Sequence, residues 1–261
     1  MRTGIILADE QIPYHIPQLF DEDTAKKNPK HKFPIEQFME DLNPDIIIRV
    51  GDMLDMEALQ GWNHRRPADV NWEEIREEIR VAKLMMDRQD ALLKRSVEKH
   101  FIFGNHEERL KHFRAQHDEY WRKNRSTMPY LMRDLELKER GYLTHGQNDL
   151  FQIGKLHFFH GNDYSTHHTQ KNLAALEANV CYGHVHSPQR FTKVARVNNS
   201  PKSAWSLGCL CSRNPVWKNG APNAWVNGFG VCFWRDDGSF NLYQVDITCG
   251  QFIGPNGKLY K

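Results

Sequence analysis

Four short apolar runs each deliver an acidic, amide or imidazole side chain into a glycine-containing loop. Asp45 to Val50 leads into Gly51-Asp52-Met53-Leu54-Asp55, and His100 to Phe103 into Gly104-Asn105-His106-Glu107. Leu156 to Phe159 leads into His160-Gly161, and Val180 to Tyr182 into Gly183-His184-Val185-His186. A further run, Ile5 to Ala8, ends on Asp9, with Gln11 and His15 beyond it. Glycine beside such residues lets the backbone turn tightly and approach an ion or a phosphate with no Cβ in the way. One histidine at a strand end is more often a hydrogen-bonded structural group. A set of Asp, Asn and His at successive strand ends predicts a cation-binding cluster instead. An Asp-x-His pair is a common way to start such a cluster, and here Gln11 stands where the imidazole would be.

The elements that must position these residues change character once along the chain. Up to about residue 140, short apolar runs alternate with helical patterns, the βαβ signature of a sheet covered by helices. The clearest helix starts at Asn71, with Glu74 three residues on as in a capping box. It keeps Ile75, Ile79, Ala82, Met86, Leu93 and Val97 on one face. Beyond about residue 140 the strand-like segments are Leu156 to His160, Val180 to Gly183, Ser203 to Leu207, Gly230 to Trp234 and Phe240 to Val245. They predict a second sheet. With no repeat, low-complexity tract or flexible linker, the halves are expected to pack as one domain over 1–261. Residues 1–140 would form a βα half with a helical insertion at about 56–98, and residues 141–261 a mainly β half.

The chain has 261 residues, 39% of them hydrophobic, enough for one sizeable core. No apolar run approaches the roughly 20 residues that span a bilayer, and the N-terminus has no signal-peptide pattern. A soluble, cytoplasmic protein is the expectation. The cysteines 181, 209, 211, 232 and 249 form no CxxC pair, and their odd number suits a reducing compartment. They read as small apolar residues in strands. A formal net charge of +2 gives no whole-molecule field for nucleic acid and leaves only local basic stripes.

In this order, the Asp-x-Gln start, Gly-Asp-x-x-Asp, Gly-Asn-His-Glu, the lone His160 and Gly-His-x-His resemble the calcineurin-like metallophosphoesterases, over Asp9 to His186. The sequence is most similar to their phage-encoded and phage-like bacterial branch. Those likenesses lie in Asp-x-Gln-x-Pro-Tyr-His at Asp9 to His15, Gly-Asn-His-Glu-Glu-Arg-Leu at Gly104 to Leu110, and Gly208-Cys209-Leu210-Cys211 followed by Trp225 and Gly228-Phe229. The late motifs read as core and turn residues without chemistry of their own. The resemblance implies an α/β fold, a four-layer α/β/β/α sandwich of two mixed sheets flanked by helices. It also implies a dinuclear-metal-dependent phosphoesterase that hydrolyses phosphate esters by metal-activated water. The first reading is a phosphodiesterase acting on nucleotides or nucleic acid, in the host cytoplasm if the chain is phage-encoded. A phosphomonoesterase of a small metabolite or phosphoprotein and a non-catalytic interaction scaffold are the alternatives.

Carried over residue by residue, Asp52 would bridge two divalent ions. Asn105, His160 and His184 would complete one shell, and Asp9 and His186 would bind the other ion. Residues two apart in an extended segment point to the same side, which suits His184 and His186. Imidazole, carboxylate and amide oxygen together favour Mn, Fe, Zn or Ni over Ca. Gln11 is either a weak ligand, direct or through water, or a side chain that hydrogen-bonds the Pro13 to His15 loop or a substrate oxygen. His15 is the other group able to replace the missing imidazole. His106 would protonate the leaving oxygen, with Asp55 either orienting its imidazole or capping the loop. Glu107 would assist it or serve the helix N-terminus. Arg65, Arg66 and Arg109 are the candidate phosphate contacts. From Arg109 to Arg125 basic residues mix with Phe113, Tyr120 and Trp121, which suits either nucleic acid or a solvated helix over core aromatics.

Overall fold

The computed structural model describes residues 1–61, 66–195, 199–215 and 218–261. Its strands, in chain order, are β1 (Arg2–Leu7), β2 (Ile46–Arg49), β3 (Glu98–Ile102), β4 (Tyr142–His145), β5 (Phe151–Ile153), β6 (Leu156–Phe158), β7 (Val180–Tyr182), β8 (Gln189–Ala195), β9 (Ser200–Ser206), β10 (Gly228–Trp234), β11 (Phe240–Asp246), β12 (Phe252–Ile253) and β13 (Leu259–Tyr260). The helices are α1 (Glu22–Lys27), α2 (Pro34–Leu42), α3 (Trp72–Asp90), α4 (Asn105–Gln116), α5 (Asp118–Lys123), α6 (Leu131–Asp134) and α7 (His168–Leu176).

Strands β1 and β2 are apolar without alternation because both of their faces are covered. Ile5, Leu7 and Ile47 point to one side, where Phe38 and Met39 of α2, Ile75 and Met86 of α3 and Phe113 of α4 pack on them. Ile6, Ala8, Ile46, Ile48 and Val50 point to the other, against Phe158, Cys181, Trp205 and Leu207 of a second sheet. That sheet's far face is closed by α7, whose Leu173 meets Val180, Tyr182 and Ala204. The layers are therefore helices, sheet, sheet, helix, and both sheets are mixed. The first sheet runs β11-β10-β1-β2-β3-β4 and the second β5-β6-β7-β9-β8. A two-stranded ribbon of β12 and β13 packs its Phe252 and Tyr260 on Phe38.

Two expectations change. The segments Gly230 to Trp234 and Phe240 to Val245 do not join the second sheet: β10 pairs antiparallel with β1, and β11 with β10, so the chain returns to widen the first sheet. Period-2 apolarity signals a strand, but it carries no information on which edge that strand will find. The long helix ends at Asp90, before Leu93 and Val97, where the chain turns to enter β3. Its start is at the expected place, yet Asn71 donates its amide to Glu74 Oε1 at 2.7 Å and makes no side-chain cap to the backbone.

Within the first sheet β1, β2, β3 and β4 are parallel, and within the second β6 runs parallel to β7. Parallel strands end on the same side, so the loops after β1, β2, β3, β6 and β7 open onto one crevice between the two sheets. Crevices at the carboxyl ends of parallel strands are where α/β folds place ligands.

Candidate metal centre

Five of the residues delivered to that crevice hold their backbone in the left-handed region: Asp9 (φ 55°), Gln11 (45°), Asp52 (53°), His184 (68°) and His186 (60°). None is glycine, and each such residue costs on the order of 1–3 kcal/mol. The surrounding fold over-determines these turns. Asp9 N donates to Gly51 O at 3.1 Å, Gln11 N to Asp52 O at 2.9 Å, and Val226 N to His186 O at 2.8 Å. Two glycines are required by contact: a Cβ on Gly104 would lie 2.0 Å from Asp52 Oδ1, and one on Gly183 would lie 2.4 Å from Asp9 Oδ2.

At one end of the crevice, four atoms converge on a point beside His160. Its Nδ1 lies 2.7 Å from Val50 O, an acceptor only, so Nδ1 carries a proton and it is Nε2 that turns inward, able to offer a lone pair when the ring is neutral. That Nε2 lies 3.0 Å from Asn105 Oδ1, 3.2 Å from Asp52 Oδ2 and 3.2 Å from His184 Nδ1. Lone pairs crowded together need a proton or a cation between them, and Asp52, His160 and His184 present ligand atoms within 4.8 Å of one another. A divalent ion fits this set.

The other end is built on Asp9, which is fully buried and accepts from His184 N at 3.1 and 3.0 Å. His186 Nε2 lies 3.3 Å from Asp9 Oδ1 and 3.4 Å from Gln11 Nε2. Gln11 Oε1 is buried with no hydrogen-bond partner among the described residues, as is His184 Nε2. Gln11 thus lies beside His186 with an unsatisfied amide oxygen. His15 is elsewhere: its ring meets Phe20 at 5.6 Å, and burial, against the nearby Asp21 and Glu22, lowers its basicity.

The electrostatics agree with a demand for positive charge. Burial pushes His160 down, but Asp52 and then Asp9 outweigh it and raise the imidazole to about 9. His186 behaves likewise and is raised to about 10, chiefly by Asp9 against its burial. His184, buried next to His160, is lowered to about 4.

His106 is on the first turn of α4, beside Asp52. Its backbone N–H donates to Asp52 Oδ1 at 3.0 Å, and its Nε2 lies 3.7 Å from Asp52 Oδ2. Nδ1 donates to the backbone oxygen of Asp55 at 2.7 Å, with the Asp55 carboxylate Oδ1 further off at 3.2 Å. Asp55 therefore holds the ring mainly through its main chain. Arg109 joins the pair, giving 2.7 Å from Nη1 to Asp55 O and 3.1 Å from Nη2 to His106 Nε2. Burial and, less strongly, the Arg109 guanidinium lower the His106 pKa, Asp52 and Asp55 raise it, and the balance is upward.

Arg66 is exposed and pairs with Asp69 at 3.2 Å. Arg65 lies outside the described residues. The basic aromatic stretch is largely self-paired: Phe113 and Trp121 are core, Arg114 sits over the Trp121 ring, Arg122 meets Asp118 and Lys123 meets Glu119.

Glu107 serves the start of α4, as one of its two sequence readings had it, whereas its hold on the Asp52 loop and the residues that follow were not legible in the sequence. The Glu107 carboxylate accepts from the backbone N–H groups of Asp52 and Leu54 at 3.0 Å and of Gly104 at 2.7 Å, clamping the Asp52 loop to the start of α4. Burial and then Asp52 raise it to about 7. Cys209 and Cys211, expected as strand filler, are buried against His186, with Cys211 Sγ 3.8 Å from His186 Nδ1. Trp225 packs edge-on against His186 at 4.2 Å and Tyr164 tilts over His184 at 4.3 Å. Arg49, in a strand that reads as apolar, is buried in an ion pair with Glu10, the neighbour of Asp9. The CxC spacing was the one available signal for the sulfurs. Nothing in the sequence marked Tyr164.

Two packed mixed sheets with a cluster of carboxylate, amide and imidazole groups at their parallel strand ends define a metal-dependent phosphoester hydrolase. The chain belongs to the calcineurin-like phosphoesterase family, which it matches over residues 18–188. No curated protein matches it. Among solved structures it is similar to Vps29 from Chaetomium thermophilum, at 10% identity over 99% of this chain and 94% of that one, TM-score 0.40. It is also similar to a dimetal phosphatase from Danio rerio, at 11% identity over 93% and 95%, TM-score 0.42.

Proposed function

We propose that the chain is a dinuclear phosphodiesterase acting on nucleotides or nucleic acid, with Mn as the first candidate ion and Fe, Zn or Ni as the others. The observation that carries this reading is the convergence of Asp9, Asp52, Asn105, His160, His184 and His186, with His106 poised beside Asp52. In this reading Asn105, His160 and His184 hold one ion, Asp9, Gln11 and His186 the other, and Asp52 lies between them. Divalent ions held there supply charge to neutralise a phosphoryl group and to activate water.

The protein's own groups do the rest. His106 is the candidate donor of a proton to the leaving oxygen from Nε2, its Nδ1 proton being committed to Asp55 O at 2.7 Å, once the Arg109 Nη2 group that lies 3.1 Å from Nε2 turns to the phosphate. Asp52, 3.7 Å from that Nε2, favours the charged ring before transfer. Arg109 offers guanidinium N–H groups at the same edge. Among the described residues Arg109 is the candidate arginine that stays at this edge, and a diester, with one negative charge, matches it, whereas a terminal phosphate dianion calls for more cationic donors. Arg66 turns to Asp69 instead. Four buried thiols and one exposed thiol, all free, support a reducing, cytoplasmic setting.

Hydrolysis of bis-p-nitrophenyl phosphate against p-nitrophenyl phosphate, with Mn present and then chelated, tests the proposal. Mn-dependent turnover that favours the diester is expected. Preference for the monoester would replace the diesterase reading, and no metal-dependent turnover of either would remove it.

A further inference from the structure

The aromatic residues that the sequence offered for base stacking are committed elsewhere: Phe113 and Trp121 lie in the helix-side core, both against Trp72, and the partly buried Tyr120 packs against that core. The structure presents a different aromatic group at the metal crevice. Tyr164 is 71% exposed, yet its ring is fixed against His184 with centroids 4.3 Å apart and planes tilted by 48°. Its loop joins β6 to α7 and is anchored on both sides. Asp163 accepts from Ser165 N at 2.7 Å and pairs with Lys171 at 3.0 Å, while His168 N donates to Ser165 O at 3.1 Å. At the loop's start, Gly161 passes so close to His184 that an added Cβ would lie 3.1 Å from the His184 Cβ. The loop is thus fastened to the same residue that Tyr164 covers.

A large aromatic surface held over a site histidine and otherwise left to water is matched chemically by another flat ring. The second aromatic group at the crevice, Trp225, is committed differently: it packs edge-on to His186 and carries the Lys218 ammonium 4.0 Å from its ring centroid. Among the described residues, Tyr164 is the aromatic group whose surface faces open space beside the His184 end of the cluster. We infer that Tyr164 is a specificity residue that stacks a nucleobase of the substrate beside the scissile phosphate, which makes the substrate class a nucleoside phosphodiester. This rests on the phosphodiesterase reading and adds the residue that recognises the nucleoside part of its substrate. Stacking reads a π face and no hydrogen-bond pattern, so the preference is for any base over none.

The test uses two diesters with one leaving group, the p-nitrophenyl ester of thymidine 5′-monophosphate and methyl p-nitrophenyl phosphate, on Mn-loaded protein. Tyr164→Ala should raise KM for the nucleoside ester about tenfold, the order expected for one lost base–aromatic stack, and change the methyl ester less than twofold. Tyr164→Phe, which keeps the ring, should behave as the native chain. Equilibrium binding of thymidine 5′-monophosphate to both variants gives a readout independent of turnover and should weaken by the same factor in Tyr164→Ala alone. Equal effects on both diesters, no effect on either, or Tyr164→Phe behaving as Tyr164→Ala would overturn the inference while leaving the diesterase reading standing. Absence of diesterase activity with Tyr164-dependent nucleotide binding would instead overturn the diesterase reading and keep the stacking site.

Discussion

In the proposed two-ion reading, Gln11 sets how evenly the ions are bound. Its amide oxygen is buried and unpartnered among the described residues while its amide nitrogen lies 3.4 Å from His186 Nε2, and an amide is a weaker donor than imidazole for borderline metals. Gln11→His should therefore tighten one class of Mn or Zn site in a titration of metal-free protein and leave the other unchanged, whereas Asn105→Ala should damage the other class. If both classes move together, the two-shell assignment fails. For His106, removal of the imidazole should spare metal binding, because its Nδ1 is committed to Asp55 and its Nε2 lies 3.7 Å from Asp52 Oδ2, farther than the 3.2 Å of His160. His106→Ala should slow hydrolysis by about 10² to 10⁴-fold for an alkyl leaving group, the usual range for a general acid, and much less for p-nitrophenolate, which leaves without a proton. A loss below tenfold on the alkyl ester would take His106 out of that role.

At the scale of elements, α3 and α4 hold the Asp52 loop from two sides through buried carboxylates, Glu107 from α4 and Glu78 from α3. Glu78 accepts from Met56 N at 2.8 Å. Burial raises its carboxyl to about 8, against the Met56 N–H and helped by Asp55. The sign follows from proton counting. Between the ordinary value of 4.5 and about 8 the folded chain keeps a proton that the unfolded chain has released, so stability falls as pH rises through that window. Glu78→Gln keeps the acceptor for Met56 and removes the ionisation. Unfolding free energies measured from pH 5 to 9 should decline in the native chain, by an amount on the order of a few kcal/mol, and decline less in the variant. Parallel curves would show that Glu78 is ionised in the folded state without cost.

For the whole molecule, the crevice joins the two sheets at residues far apart in sequence: His184 N reaches Asp9, and His160 Nδ1 reaches Val50 O. An ion bound there braces the sheets together and stabilises the folded state by mass action. At a free metal concentration of about 100 times Kd the gain is about 2.7 kcal/mol. For a chain of this size that is roughly 5–10 °C in melting temperature. Mn addition to chelator-treated protein should raise the melting temperature accordingly, and Asp52→Asn should abolish most of the rise. A chain whose melting temperature ignores both metal and chelator does not use this crevice as a metal centre.

Local pattern sufficed for the strands that carry Asp9, Asp52, Asn105, His160 and His184, because a continuous apolar run ending in a glycine and a polar side chain is a property of neighbours in sequence. The metal-like chemistry of those residues was legible for the same reason, as was α3 with its apolar face. What depends on pairing at a distance was not legible. The edge that β10 and β11 adopt is set by which strand side remains open after β1 to β4 assemble. The left-handed backbone of Asp9, Gln11, Asp52, His184 and His186 is tolerated only because hydrogen bonds from other loops fix it. Cys209 and Cys211 became neighbours of His186, and Glu107 a clamp on the Asp52 loop, through the packing of one sheet on another and of a helix end on a strand end. Tyr164 had no signal in sequence, since an exposed tyrosine in a loop acquires meaning only from the histidine it covers.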